Sequence, residues 1–500
     1  MNKKIIPVII GVAQFTQRKG TSQPLDPLRL MIKTSQKAID DTNVNNLVDF
    51  IDAVYMVNII SWSYEDAPGE LSEKLNITPK EKVYLGDGGN SPQMLINRAA
   101  KSISTGIHRI VLITGGEAGY TGSKIIKNTL PKSWPAYKSP KYMEKKIWGG
   151  IDDFEKLYGF RRAAIPYAIF ESAIRTISKR SLEDHAKYLG ELFTRFSKVA
   201  SKNPFSWTQK YHKAEEITTP SLNNRYITYP YTKRMCANNF VDQSASVIVT
   251  SQEVAELLKI DPKHCVYLMG SADLNNIHEI TRRPLLYDSP AIKESSNLAL
   301  KQAGLTLDDI DKFDIYSCFP SIVEIIMREL GLKKDDPRDL TITGGLPYFG
   351  APLSVYSLHA IVRAVEMIRD NPSLNIMVLA NGGYNSGESV GIYGSQPPYI
   401  PWSVRDDTII QQSILEKKLP LSIEKANGSL TIDAYTIMYD RLGKPKRVIV
   451  IGTLENGLRT IAITKNYIPK LLTLEKQDLV GRTFVVQYDS TVDRNILKIY

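Results

Sequence analysis

Gly344-Gly345-Leu346-Pro347-Tyr348-Phe349-Gly350-Ala351-Pro352 is the most telling segment of the chain. Glycines and prolines this dense continue neither a helix nor a strand, and glycine lets the backbone come close to a ligand. The stretch lies just ahead of helical apolar spacing over Ser354–Arg369. It is one of a set of small-residue turns: Gly86-Asp87-Gly88-Gly89-Asn90-Ser91-Pro92, Gly115-Gly116, Tyr316-Ser317-Cys318-Phe319-Pro320 and Asn381-Gly382-Gly383 complete it. Each is read at the end of a strand, where α/β sheets build their ligand sites.

The flanking sequence supplies the strands and helices. In residues 1–125 the continuous apolar run Val8–Val12, then Ile51–Val57 and Arg109–Thr114, predict buried strands. Leu28–Asp40 and Pro92–Ile103 carry helical spacing. Residues 126–235 break this rhythm with repeated prolines, Pro131 and Pro166 among them. They hold two helical stretches, Pro166–Ile177 and Leu182–Ala200, the second capped by Ser181 with Asp184 three residues on. Basic residues recur there (Lys141, Lys145, Lys146, Arg161, Arg162), which a solvated surface explains. Alternation resumes in 236–395, with strands at Val247–Thr250, Val266–Gly270, Phe313–Tyr316 and Ile376–Ala380, and helices at Ser289–Ala303, Ser321–Leu330 and Ser354–Arg369. After the linker Ser395-Gln396-Pro397-Pro398 the pattern becomes short strands between turns: Gly428–Tyr439, Arg447–Leu454, Leu458–Thr464 and Thr483–Tyr488. That pattern predicts a small all-β barrel.

Composition narrows the function classes. The 500 residues suggest about three domains. With 43% hydrophobic and 23% charged residues, the chain is neither disordered, collagen-like nor a disulfide scaffold. A formal charge of +10 is dilute over this length; it suits anionic ligands and does not by itself indicate nucleic acid. Cys236, Cys265 and Cys318 are far apart and odd in number, so neither a disulfide framework nor a structural zinc site is expected, and the compartment reads as reducing. The apolar start around Ile5–Ile10 reads as a buried first strand rather than a signal peptide, and no run reaches the roughly 18 apolar residues of a membrane span. A cytoplasmic protein follows as the expectation. No phosphate loop, GxGxxG after a strand or HExxH is present, the histidines are scattered, and no metal is expected.

The turns carry the chemistry. Gly86–Pro92 leads into a helix whose free N–H groups favour anions or a developing oxyanion. Cys318 heads another helix, where the dipole favours a thiolate; the bland alternative is a small buried hydrophobe. His359, eight residues after Ala351, is a candidate acid/base partner that its helix returns towards Cys318, or a satisfied helix histidine. Asn381 could donate to a thioester oxygen or simply hold its turn. Asp87 and Asn90 read as local turn bonding, and Cys236 as structural.

In order and spacing these turns resemble the thiolase superfamily over residues 5–395. The family's Cys-x-Ser-Gly register runs from Gly89 through Asn90-Ser91-Pro92 to Thr105-Gly106. Its Gly-Gly-x-x-x-x-Gly-His-Pro corresponds to Gly344 through Pro352, its Asn-Glu-Ala-Phe or His-Asp-Cys-Phe to Tyr316-Ser317-Cys318-Phe319, and its Cys-x-Gly-Gly to Ala380-Asn381-Gly382-Gly383. The catalytic positions depart from the family: Gly89 stands for the nucleophilic cysteine, Ala351 for the histidine, Ala380 for the second cysteine and Tyr316 for the asparagine or histidine. Together with the C-terminal β region, these departures look most like thiolase-like proteins of type 1, which are related to the sterol carrier protein type and carry an OB-like extension.

The resemblance implies an α/β thiolase fold of two pseudo-symmetric βαβαβαββ halves, layered α/β/α/β/α, with a C-terminal all-β OB-like barrel. The halves are expected at 1–125 plus 236–260 and at 261–395, the loop domain at 126–235 and the barrel at 400–500. It further implies coenzyme A or acyl-CoA as substrate or ligand, with Cys318 and His359 as candidate catalytic residues and Gly89, Asn90, Asn381, Gly382 and Gly383 as the turn that holds a carbonyl. Three function classes stay open: an acyl-CoA-dependent acyltransferase or other thioester-handling enzyme, a non-catalytic CoA binder or a scaffold for a partner enzyme reached through the C-terminal domain, and, most remotely, nucleic-acid binding by the barrel. Neither a nucleic-acid partner nor a membrane span is expected.

Overall fold

The computed structural model describes residues 5–128, 133–144, 151–402, 406–416, 418–466 and 468–499. Pro131, Lys145 and Lys146 lie outside them.

Strand β1 (Pro7–Thr16) is nearly continuously buried, as its apolar run requires. Helix α1 (Pro27–Asp41) follows, capped by Asp26, whose carboxylate accepts from the Arg29 N–H. Strands β2 (Ala53–Val57) and β3 (Glu81–Leu85) pair in parallel, and α2 (Ser91–Ser104) leads to β4 (Ile110–Ala118). An insertion then contributes α3 (Ala164–Ile177), α4 (Leu182–Lys202) and the short strands β5 (Tyr226–Thr228) and β6 (Tyr231–Thr232). Ser181 caps α4 as predicted, accepting from the Asp184 N–H at 3.0 Å. Strand β7 (Asp242–Ser251) returns to the sheet. The second half runs β8 (Val266–Asn275), α5 (Pro290–Ala303), β9 (Lys312–Ile315), α6 (Pro320–Leu330), α7 (Tyr356–Asp370), β10 (Ile376–Gly382) and β11 (Gly387–Gly394).

These strands form one nine-stranded sheet, ordered β3-β2-β4-β7-β1-β8-β11-β10-β9. Outward from its centre the pairing pattern repeats in both halves, with β3 adding a fifth, parallel strand at the edge of the first. β1 pairs antiparallel with β7, as β8 does with β11; β7 pairs antiparallel with β4, as β11 does with β10; β4 and β2 run parallel, as β10 and β9 do. The halves meet where Val8 and Ile9 oppose Tyr267 and Val266. Helices α2 and α7 pack together between the halves and touch strands of both, α1 covers the outer face of the first half, and α5 with α6 covers that of the second. This is the thiolase fold with its five layers.

The repeat extends to single residues. Gly11 and Gly270 occupy the same place in β1 and β8. A Cβ on Gly11 would stand 2.3 Å from the Ala38 carbonyl oxygen of α1, and one on Gly270 would stand 1.9 Å from the Ala299 carbonyl oxygen of α5. In each half the outer helix lies backbone-to-backbone on its strand, which only glycine permits.

The C-terminal region forms a closed five-stranded barrel. Strands β12 (Asn427–Tyr439), β13 (Pro445–Leu454) and β14 (Arg459–Ile463), helix α8 (Ile468–Leu474), and strands β15 (Thr483–Asp489) and β16 (Arg494–Lys498) follow in order. The ring closes as β12-β13-β14-β16-β15-β12, with only β14 and β16 parallel. That order, with a helix between the third and fourth strands, is the OB-like arrangement. Strand β16 escapes sequence reading because Arg494-Asn495-Ile496-Leu497-Lys498 offers only two apolar residues. Its Asn495 is buried and ties the barrel internally, accepting from Ala426 N–H and donating to the Glu424 and Ile461 carbonyls.

The barrel is fastened to the insertion. β5 pairs with β12 at Thr228 and Met438, the Tyr435 N–H donates to Ser172 Oγ of α3 at 2.8 Å, and Arg175 of α3 pairs with Asp478. Helix α3 is apolar on nearly every side and is buried from Ile165 through Arg175, because sheet, barrel and α6 surround it.

Two expected turns are strand. Gly115 and Gly116 lie inside β4 opposite Ala245 and Ser244, where Val355 and Met31 pack on the space a side chain would fill. Asn381 and Gly382 still belong to β10, and the turn begins at Gly383, whose φ is +59°. Gly270→Ala is expected to cost about 1–3 kcal/mol or more by overpacking against the α5 backbone. A thermal melt checks it, and an unchanged midpoint would show that α5 can shift away freely.

Candidate functional site

The turns of the two halves converge on a cavity of about 580 Å³ between sheet and insertion. Gly88, Gly89, Asn381 and Gly382 form one side, Tyr316, Cys318 and Phe319 another, and Tyr167 of α3 with Ala163 closes it from the insertion. Ala351 and Gly383 also face it.

The turn carrying Gly89 is clasped by the opposite half. Gly88 N–H donates to Ser354 Oγ at 3.0 Å, Ser357 Oγ–H donates to the Gly89 carbonyl, and Asn90 Nδ2 donates to Ser389 Oγ of β11 at 3.1 Å. Asn90 is thereby buried behind the cavity wall rather than lining it. Asp87 is exposed at the cavity edge and accepts from Asn58 Nδ2.

Gly89 has no room for a side chain. A Cβ there would lie 2.1 Å from the Tyr316 hydroxyl and 2.4 Å from the Asn381 carbonyl oxygen. The tyrosine therefore occupies the volume into which a side chain at 89 would grow. Its ring is placed from β9: the Tyr316 N–H donates to Leu379 O at 3.0 Å, and the ring stands edge-on to Tyr356 with centroids 5.6 Å apart. Tyr356 is held in turn by Asp314, which it reaches at 2.8 Å. The same carboxylate accepts from the backbone N–H groups of Ile342 and Thr343 and from the hydroxyls of Thr341 and Thr343, fixing the approach to Gly344-Gly345.

Cys318 lies three residues past the end of β9 and two before α6, and its side chain lines the cavity. Tyr167 O–H and the Phe319 N–H donate to its sulfur, yet burial outweighs them and pushes the thiol up to about 12. The helix-start thiolate expected from sequence is thus displaced by desolvation, and the thiol is protonated near neutral pH. The Tyr167 hydroxyl accepts from Asn381 Nδ2 at 2.7 Å, and its ring stacks on Phe319 at 4.9 Å. Burial holds Tyr167 and Tyr316 well above the ordinary tyrosine value, so both are protonated. Behind Asn381, its cross-strand partner Glu388 is buried, and its carboxyl is pushed well above the usual range by burial, with Arg283 pulling the other way. Neutral hydrogen-bond groups therefore surround the buried part of the cavity.

His359 is not part of this set. It is fully buried on the face of α7 turned to β1, where Nδ1 meets Gln14 Oε1 at 3.2 Å and the ring packs at 5.1 Å from that of Phe349. Burial depresses it to about 3, leaving it neutral. The rotation of α7 directs Tyr356, rather than His359, towards the cavity residues. Ala380 is buried opposite Ser389 and does not line the cavity, because successive strand residues face opposite sides.

A second polar cluster lies deeper. His185, Glu171 and Glu324 bring ligand-type atoms within 4.8 Å of one another. Protons and a guanidinium already meet those atoms: Arg180 donates to Glu324 Oε2 at 2.7 Å and to His185 Nδ1 at 3.2 Å, so His185 Nε2–H donates to Glu171 Oε1 at 2.9 Å, and Tyr231 O–H donates to Glu171 Oε2 at 2.7 Å. With Arg180 supplying positive charge at its centre, the cluster is a poor cation site.

Tyr167, Glu388 and Asp314 were not singled out from sequence. Their signal is burial inside apolar segments, as in Ala164-Ile165-Pro166-Tyr167, and nothing local distinguishes a cavity wall from core. Gly89→Ala is expected to destabilise the protein through its clash with Tyr316 and Asn381, and Tyr316→Ala is expected to restore part of the loss; thermal melts of the two single variants and the double variant read the coupling. Iodoacetamide at pH 8 is expected to label Cys265, pushed up only to about 11, ahead of Cys318, whose labelling climbs with pH without a plateau below about 12. A plateau near pH 7 would reveal a stabilised thiolate and overturn this assignment.

Comparison with known proteins fits this geometry. Residues 410–491 match the family described as the thiolase-like protein type 1 additional C-terminal domain. An acetyl-CoA acetyltransferase of Syntrophomonas wolfei is 30% identical over 150 residues, which is 29% of this chain and 35% of that protein. The human mitochondrial 3-ketoacyl-CoA thiolase, solved in complex with CoA, shares the fold at 16% identity (TM-score 0.55) over 78% of this chain and 98% of its own. A monomeric SCP2-thiolase like protein type 1 from Mycobacterium smegmatis is 32% identical over the whole of both chains, with a TM-score of 0.86. On that full-length likeness, the chain belongs to the SCP2-thiolase-like proteins of type 1.

Proposed function

We propose that the chain binds an acyl-CoA thioester in the cavity between its halves and handles it without forming an acyl-enzyme. The observation that carries this reading is the Tyr316 hydroxyl standing where a nucleophile on residue 89 would be. Covalent acyl transfer needs a thiolate or an activated equivalent. Here the cavity thiol, Cys318, stays protonated, and His359, buried against Gln14, is no partner to it. What remains is a pocket of neutral donors beside glycine turns, suited to holding and polarising a carbonyl. The +10 charge suits the phosphates of coenzyme A, and three unpaired cysteines suit a reducing compartment such as the cytoplasm.

Binding without turnover is the second reading, favoured by the protonated state of Tyr167, Tyr316 and Cys318, which leaves these groups unable to abstract a proton at neutral pH. A thermal-shift panel of coenzyme A and acyl-CoAs, followed by intact-mass measurement, separates the cases. Acyl-CoAs are expected to raise the melting temperature and to leave no acyl adduct on the protein. An adduct on Cys318 would sink the non-covalent reading, and no shift with any ligand would sink thioester binding itself. Loss of acyl-CoA from solution would exclude the second reading.

A further inference from the structure

We propose that a buried water joins Arg283 Nη1, Glu388 Oε1 and Asn381 Oδ1 behind the cavity wall, and that Glu388 thereby acts as a positioning residue for Asn381 and Tyr167. The proposal concerns the protein before any ligand arrives, so it stands or falls apart from thioester binding.

The first support is three unmet demands in one place. Glu388, Arg283 and Asn381 are each at most 4% exposed. Yet Glu388 Oε1, Arg283 Nη1 and Asn381 Oδ1 are buried without a hydrogen-bond partner among the described residues. Buried polar atoms are rarely left so, and a place that offers two to four of them is where proteins hold ordered water.

The second support is shared placement. Asn381 of β10 and Glu388 of β11 stand directly opposite each other. The side chains of such a pair lie on one face of the sheet, close together. That face is the one turned to α3, because Asn381 Nδ2 donates to the Tyr167 hydroxyl. The next residue, Ser389, meets Asn90 on the opposite face. Arg283 comes to the α3 side as well: its guanidinium lies 5.3 Å over the ring of Phe170, one turn from Tyr167. Its Nε donates to the Ile277 carbonyl at 3.0 Å and Nη2 reaches that of His278 at 3.5 Å, which leaves Nη1. The charge that bears on the Glu388 carboxyl is that of Arg283. Glu155 also bears on Arg283, but Thr281 occupies its Oε1, leaving Oε2 as the competing acceptor.

The third support is direction. A guanidinium only donates, so a water on Nη1 accepts from it and has two hydrogens to give. One goes to Glu388 Oε1 and the other to Asn381 Oδ1. The amide is then held with Nδ2 towards Tyr167, whose own hydrogen goes to the Cys318 sulfur. Every bond from Arg283 to Cys318 runs in one sense, and bonds aligned in this way polarise one another. Without an acceptor at 388 the water loses one of its three partners, and Asn381 loses the group that fixes it from behind.

A high-resolution crystal structure is expected to show a water within about 2.7–3.2 Å of all three atoms. No water there, or one that joins Arg283 to Glu155 Oε2 instead, would overturn the proposal. The role of Glu388 is read from the rate of Cys318 alkylation at a fixed alkaline pH, followed by peptide mass, in wild type, Glu388→Gln and Glu388→Leu. Glutamine keeps an acceptor oxygen in place, and this variant is expected to label as wild type does. Leucine removes the acceptor and is expected to slow labelling about threefold to tenfold, as the Tyr167 hydroxyl loses its hold on the sulfur. Equal rates in the leucine variant and wild type would overturn the positioning role. Faster labelling in the glutamine variant would show Glu388 acting on Cys318 as a charge rather than through Asn381, and would overturn it too. Should the leucine variant not fold, the crystal structure and the glutamine rate decide alone.

Discussion

A Cβ on residue 89 and the hydroxyl of Tyr316 cannot share one volume, and the character of the cavity follows from which of them holds it. The glycine comes from the first half and the tyrosine from the second, so the exclusion acts across the internal repeat. Serines 354, 357 and 389 then fasten the glycine turn to the tyrosine's half, leaving neither partner free to retreat. The bare turn is therefore not a mere loss of function. It is one member of a fitted pair, and reinstating a side chain there without removing the ring conflicts with the structure.

Desolvation decides the chemistry around that pair. Cys318 receives hydrogen bonds from Tyr167 and a backbone N–H, and the adjoining helix start also favours the anion, yet enclosure among Tyr167, Tyr316 and Phe319 dominates. The same burial keeps Glu388 and the tyrosines protonated and His359 neutral. At Asp314 too, burial raises the carboxyl, although several donors converge on it and oppose the rise. Asp314 collects backbone and hydroxyl donors from Thr341, Ile342, Thr343 and Tyr356, and through Tyr356 it sets the plane of the Tyr316 ring.

Much of the architecture was legible because burial on both faces writes apolar runs such as Val8–Val12, and helices facing a core write a 3.6-residue period. The small-residue turns were legible for the same reason they serve the site: close backbone approach tolerates few side chains. Other features were not. Gly115 and Gly116 read as a turn, but tertiary packing by Val355 and Met31 makes them strand. Strand β16 is too short and polar to signal itself. The site was legible as a neighbourhood, with Gly89, Tyr316, Cys318, Ala351, Asn381, Gly382 and Gly383 brought together, but not in its members' orientation. Whether His359 faced Cys318 depended on the rotation of α7, and whether Cys318 ionised depended on Tyr167 arriving from the insertion; neither is encoded in the local pattern.

The way the barrel is fastened has a bearing on how the polypeptide is made. Ser172, Arg175 and Thr228 find their partners at Tyr435, Asp478 and Met438, more than two hundred residues downstream. During translation, helix α3 therefore emerges long before the surface that covers it. A nascent chain with an apolar helix waiting for its cover must either keep the preceding half loosely assembled or shield that face until the barrel strands leave the ribosome. The barrel strands thus place completion of the cavity wall, Tyr167 included, after their own synthesis.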